Sequence, residues 1–250
     1  MGMKLLSLPG SFTGRNAMFL ESDFANYTTA QDGFSSVITD SGTVSVGDAS
    51  GGKLSIVPSS AADNDKSYIK STNELFLFAN NKPQVAETHL QFTEANTDDA
   101  NVMFGFMNAV AANSILDNGA GPAASFSGAV IYKVDGGTVW KCASSIGTSN
   151  TVSTSTSTAG GALYQSLRIE CVCLNSIVEV TYWIANIAAL ASTSTTIPSM
   201  PLIDSTTLKP IKHTFSVTSA TEMNLFAGVK NGAGNLETLN LLRLCGAQGY

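Results

Sequence analysis

The stretch "LRIECVCLNSIVEVTYWI", residues 167–184, holds the charged and aromatic side chains whose spacing comes nearest to a reaction centre. With Asn175–Ser176 as a two-residue turn, Leu174 pairs with Ile177 and Arg168 stands directly across from Trp183. Glu170 and Glu179 become diagonal neighbours on that same face. Two carboxyl groups beside an aromatic ring could serve sugar chemistry. Glycoside hydrolysis uses a pair about 5–5.5 Å apart when configuration is retained and about 6.5–9.5 Å apart when it is inverted, and an aromatic ring gives the sugar a surface to stack on. The plainer reading is an exposed strand face whose charges keep the sheet soluble. No strand carries acids at i and i+2, and the E-x-D-x-E run of laminarinase-like sandwiches is absent.

Other reactive types are sparse. Cys171 and Cys173 share the opposite, inward face of that hairpin, and Cys142 and Cys245 are far from them in sequence. A C-x-C metal site needs two further soft ligands, so four small buried hydrophobes are the expected reading. The two histidines, His89 and His213, give a zinc site or a Ser-His-Asp triad almost no material. Surface or hydrogen-bonded imidazoles are expected instead. "DNDK" (63–66) and "TDD" (97–99) gather oxygen ligands without the EF-hand order, which marks them as Asx turns before calcium loops. "DNGAGP" (117–122) and "KNGAGN" (230–235) are glycine turns that do not open a helix, so they are not phosphate loops.

The elements that hold these residues are strands. Short β-branched runs recur between Gly, Asn, Asp and Pro clusters from residue 43 onward, the pattern of an all-β sandwich or barrel. Thirteen such runs are expected, among them 84–94, 100–108, 128–134, 138–144, 167–174, 177–184, 223–230 and 238–244. In "SGAVIYKVDGGTVWK" a glycine turn places Ala129, Ile131 and Lys133 on one face with Thr138, Trp140 and Cys142. Val130, Tyr132 and Val134 lie on the other, and the apolar content of both predicts a core on one side and partial cover on the other. "NAVAANSILDN" (108–118) alone resembles a short helix. The Ser/Thr tract 144–158 lacks an apolar face and reads as an exposed loop or edge ribbon. Residues 1–34 show no sustained period and read as an irregular arm ahead of one domain, 35–250.

Composition narrows the partners. The chain has 250 residues, 44% hydrophobic and 13% charged, which excludes disorder of the low-hydrophobicity, high-charge kind. The net charge is −6 and the lysines are scattered singly, so nucleic acid is not expected as a direct partner. The longest apolar run, "YWIANIAALA", is half of the roughly 20 residues that cross a bilayer, so no membrane is expected either. "MGMKLLSLPG" lacks a signal-length apolar region, so cytoplasmic assembly is expected.

The order of segments adds one more reading. "DNDKSYIKSTNELFLF", "VMFGFMNAVAANSILDNGAGP", "SGAVIYKVDGGTVWKCASS", "YQSLRIE", "VEVTYWI" and "MNLFAGVKNGAGNLETLNLLRL" follow one another as in a family of tailed-phage particle proteins, which the chain resembles over about residues 35–245. That family is built on the concanavalin-like jelly roll, so the resemblance implies a two-sheet antiparallel jelly-roll sandwich. It also implies a non-enzymatic capsid decoration or cement protein on the virion exterior, bound to the major capsid protein, with trimers matching the shell's local three-fold axes. It supplies no catalytic residue and no cofactor. Many relatives end on a pattern like "LxVDYI", where this chain has "LNLLRL". The alternative is a glycan-binding module on the particle with Arg168, Glu170, Glu179 and Trp183 lining a groove. A glycanase is the third reading.

Overall fold

A computed structural model describes residues 17–24, 33–39, 41–47, 52–94, 98–160, 164–187, 198–217, 221–232 and 234–249. Seventeen strands carry it: β1 Ala17–Ser22, β2 Phe34–Ile38, β3 Thr43–Val46, β4 Leu54–Val57, β5 Lys66–Ser71, β6 Phe76–Leu77, β7 Gln84–Thr93, β8 Ala100–Met107 and β9 Gly128–Lys133. The rest are β10 Val139–Ile146, β11 Ser149–Thr158, β12 Tyr164–Leu174, β13 Ile177–Ile187, β14 Met200–Pro201, β15 Lys212–Ser216, β16 Glu222–Asn231 and β17 Thr238–Gly249. They form two antiparallel sheets. Sheet A runs β14-β13-β12-β7-β17-β4-β3, with β1 on β17 and β15 on β13. Sheet B runs β11-β10-β9-β8-β16-β5-β2, with β6 on β16.

Alternation assembles the core between them. Leu167, Ile169, Cys171 and Cys173 from β12 meet Val178, Val180, Tyr182 and Ile184 from β13. Phe104, Phe106, Ile131, Trp140 and Leu225 face them from sheet B, all within one buried cluster. Polar ties cross between the layers, two of them from the large aromatic side chains. The Trp140 indole N–H donates to Gln165 Oε1 at 2.9 Å, and the Tyr182 hydroxyl donates to the Ala143 carbonyl at 3.1 Å. Trp140 also meets Phe92 edge-on, with ring centroids 5.9 Å apart. Close approach fixes one residue type in the middle of sheet B: Gly105 has φ +146°, and a Cβ there would collide with the Ala129 carbonyl oxygen.

Sheet B is covered on its other face as well. Tyr68, Met103, Met107, Val130, Tyr132, Ala143 and Phe226 point outward from it and form a second cluster with Val110, Ile115 and Phe126 from residues 108–127. This agrees with the two-sided apolar pattern of residues 128–134, although here the cover is complete enough to bury all of β9. The covering segment is not helical where the sequence resembled a helix. Ser114 Oγ accepts the Ala111 N–H at 2.8 Å and donates to the Ala109 carbonyl at 3.1 Å. A side chain that competes for the backbone in this way stops a helix. Lys230, fully buried, latches the segment by donating to the Ile115 carbonyl at 3.0 Å and to Asp117. Lys230→Met leaves that carbonyl unsatisfied and should cost about 2 kcal/mol. Urea denaturation measures the loss, and limited proteolysis should show earlier cutting within 108–127.

Two further expectations meet the structure here. The Ser/Thr tract proves to be a ribbon: β10 reaches Ile146 and β11 forms the edge of sheet B. Within the stretch read as an irregular arm, Ala17–Ser22 is a strand that pairs antiparallel with β17, and Met18 and Leu20 pack on the core. An alternation of two apolar residues is too short to register as a period in the sequence. Residues 1–16 and 25–32 of the arm lie outside the described residues.

Candidate functional site

The hairpin of β12 and β13 closes on Asn175 (φ 50°) and Ser176 (φ 62°), a pair of left-handed residues suited to a two-residue turn. The register is Leu174 with Ile177, Glu170 with Thr181 and Arg168 with Trp183. Its outward face therefore brings together three of the four residues singled out from sequence. Arg168 Nε donates to Glu170 Oε1 at 2.6 Å. Trp183, half-buried beside Pro201 of β14, donates its indole N–H to Thr181 Oγ1 at 3.2 Å. Glu179 stands apart and pairs with Lys212 of β15 at 2.5 Å. Each carboxylate thus faces a cation, instead of the apolar pocket in which a glycosidase holds a protonated general acid.

Sequence reasoning missed the group at the centre of this face. Glu87 of β7 lies one strand over from β12, opposite Arg168, and is 1% exposed. Its two oxygens receive Arg168 Nη1 at 3.3 Å and Arg243 Nη1 of β17 at 3.0 Å. Arg243 in turn donates to Glu21 of β1 at 2.8 Å. Burial pushes the Glu87 carboxyl up, but His89, Arg243 and Arg168 together outweigh burial and hold it below the ordinary range. His89 Nε2 lies 3.6 Å from Glu87, too far for a hydrogen bond. The faint signal in the sequence was an acid at an outward position of a strand that must sit centrally in its sheet.

His213 sits inside the sandwich, where it joins the edges of the two sheets. Its Nδ1 lies 2.9 Å from Ser144 Oγ and 3.2 Å from the Tyr182 hydroxyl, and its Nε2 lies 3.1 Å from Ser153 Oγ. Asp204 accepts the backbone N–H groups of Thr207 and Thr206 at 2.8 and 3.0 Å, and these bonds hold its carboxyl down. A serine and a histidine are therefore adjacent, but the carboxylate that a triad needs on the imidazole is not bonded to it. The Asp204 carboxylate binds Thr206 and Thr207 and not the imidazole. No base activates a nucleophile in that arrangement, and Ser144 is fully buried.

The cysteines are all free and buried. Burial raises the thiols of Cys142, Cys171 and Cys245, so they are inert as thiolates. Cys245 Sγ is 3.5 Å from the Glu87 carbonyl. Among the described residues no group of His, Cys, Asp and Glu is arranged to hold a metal ion. Asp65 accepts the hydroxyls of Ser59 and Ser60 at 2.6 and 2.8 Å, so one of its carboxylate oxygens is taken up by side chains of its own loop.

No family model and no curated protein matches this sequence. Solved structures do match it in shape. The carbohydrate recognition domain of Emp47p superposes with a TM-score of 0.57 over 96% of this chain and 100% of that one, at 10% identity. The fold is the concanavalin-like jelly roll. The same sandwich is shared with an endo-β-1,4-glucuronan lyase from the fungus Trichoderma reesei, with a TM-score of 0.57 over 93% and 95% of the two chains at 7% identity. Peanut lectin follows with a TM-score of 0.52 over 94% and 98% at 9% identity. At such identities the likeness is one of fold. A concanavalin-like jelly roll thus hosts both binding and bond-breaking proteins, and the side chains of this chain must decide between them.

Proposed function

We propose that the chain is a glycan-binding module whose contact surface centres on Trp183. The observation that carries this reading is the outward ring of Trp183, held in place by its own hydrogen bond to Thr181 and flanked by the Arg168–Glu170 pair. A fixed indole offers a sugar an apolar face, and Thr181 and Glu170 offer partners for its hydroxyls. Sharing a sandwich with carbohydrate recognition domains and a lectin supports the same reading. The surface binds and does not hydrolyse, since neither Glu170 nor Glu179 has an acid's environment.

A glycan array probed with the full chain tests this. Trp183→Ala should weaken the strongest signal by at least about tenfold, the worth of one lost stacking contact, whereas Val152→Ser on sheet B should leave it unchanged. An array without signal, or a Trp183→Ala protein that binds as before, overturns the proposal. The order of segments favours a second reading, a cement protein on the virion exterior. Sedimentation with assembled phage heads but not with free major capsid protein, together with a silent array, would put it in place of the first.

A further inference from the structure

The charges beside Trp183 determine what kind of glycan its surface can take. By strand register two cations stand next to the ring: Arg168 of β12 lies directly across from it, and Lys212 of β15 lies across from Thr181, two residues earlier on β13. Both are already answered. Arg168, with 3% of its side chain exposed, reaches two carboxylates, donating from Nε to Glu170 Oε1 at 2.6 Å and from Nη1 to Glu87 Oε2 at 3.3 Å. Lys212 holds Glu179 at 2.5 Å. On the other side of Trp183 the register places Pro201 of β14, which brings no charge.

A donor and an acceptor remain for a ligand. Thr181 Oγ1 accepts the Trp183 indole N–H at 3.2 Å, and this leaves the hydroxyl proton to donate. Glu170 uses Oε1 for Arg168, so Oε2 is left to accept. A sugar hydroxyl is donor and acceptor in one group and matches both. A carboxylate or sulfate in the same place can only accept; it takes one bond from Thr181 and meets a like charge at Glu170.

Reaching a cation does not help an acidic sugar. To use Arg168 it must part the guanidinium from Glu170 or from Glu87, and the carboxylate left behind is stranded on a buried face. Lys212 is half-exposed and easier to reach, but Glu179 then faces the newcomer as a second negative charge. An ammonium gains as little, because the guanidinium bonded to Glu170 repels it.

We propose, on the reading of Trp183 as a glycan contact, that this surface selects uncharged glycans and rejects their uronic acid, sulfated and free-amine counterparts. A glycan array probed with the full chain tests this when it carries matched members that differ only in charge. The signals that Trp183→Ala removes should come from uncharged members, with each charged counterpart at least about tenfold weaker, as expected when a charge-assisted bond must be broken. Glu170→Gln removes the repelling charge and Glu179→Gln releases Lys212, so each should narrow the gap for acidic members, and the double variant should narrow it further. Glu179 is half-exposed, so its variant keeps the fold even where Glu170→Gln loosens it. A Trp183-dependent signal from a charged member as strong as from its neutral counterpart, or a double variant that discriminates as the parent does, overturns the charge selection and leaves the glycan contact standing. A silent array, or one on which Trp183→Ala changes nothing, overturns the contact and the selection with it.

Discussion

Glu87→Gln should be among the most destabilising single substitutions in the protein, at about 3–5 kcal/mol. The carboxylate is buried and answers two guanidinium groups at once, and Arg168 has only 3% of its side chain exposed. A glutamine of the same shape keeps the volume and removes the charge, so the arginines are left with Glu170 and Glu21 as their carboxylate partners. Breaking a buried ion pair from one side costs far more than the pair itself contributes, because the stranded charge cannot recover its water. Replacing Glu87, Arg168 and Arg243 together by apolar residues should recover much of the loss. Equilibrium urea unfolding of the single and triple variants reads both numbers. A loss below about 1 kcal/mol for Glu87→Gln, the worth of an exposed pair, would mean that the network is solvated.

The second large effect is in pH. Burial holds the His213 imidazole down at about 4, against an ordinary value of 6.5. The unfolded chain takes up this proton as pH falls through 6.5, and the folded chain resists it until about 4. Stability contributed by neutral His213 is therefore complete above pH 6.5, declines steadily below it, and stops declining near pH 4. The total is about 3 kcal/mol, from roughly 1.4 kcal/mol for each pH unit of difference. Among the described residues the one charged group that acts on the ring is Asp204, whose carboxylate favours the proton but is outweighed by burial, and the neutral Tyr182 packs edge-on against it. Asp204, whose carboxyl is held below 3.8, acts at lower pH and does not cancel the slope. Urea midpoints measured between pH 4 and 7 should fall with acidity in the parent. In His213→Gln they should stay nearly flat from pH 7 to about 5.5 and fall only below that, where Glu87 and the other depressed carboxyls begin to protonate in the unfolded chain. A parallel slope in the two proteins would show that another group controls it.

Much of the architecture was legible in the residues. Alternation along 167–184, with an Asn-Ser turn at its centre, fixed a register that the structure reproduces pair by pair. The doubly apolar pattern of 128–134 announced a core on one side and partial cover on the other, and the structure completes that cover. What stayed hidden was long-range. Glu87 and Arg243 belong to strands more than 150 residues apart, and only the meeting of β7 with β17 makes them partners. His213 looked like an isolated imidazole because Ser144 and Ser153 reach it from β10 and β11, about 60 to 70 residues away in sequence. The segment 108–118 misled for a local reason: its helical composition is overruled by one serine that bonds the backbone at both ends of a turn.

The enclosure of sheet B on both sides constrains how this protein can vary. In an ordinary surface strand every second position is a licence to mutate, because one parity of side chains looks into water. β8 and β9 have no such parity: each of their fourteen residues is buried. Drift in these strands must move in compensated steps, and the freedom to acquire new contacts falls to the ends of the strands and to the outward face of the neighbouring layer.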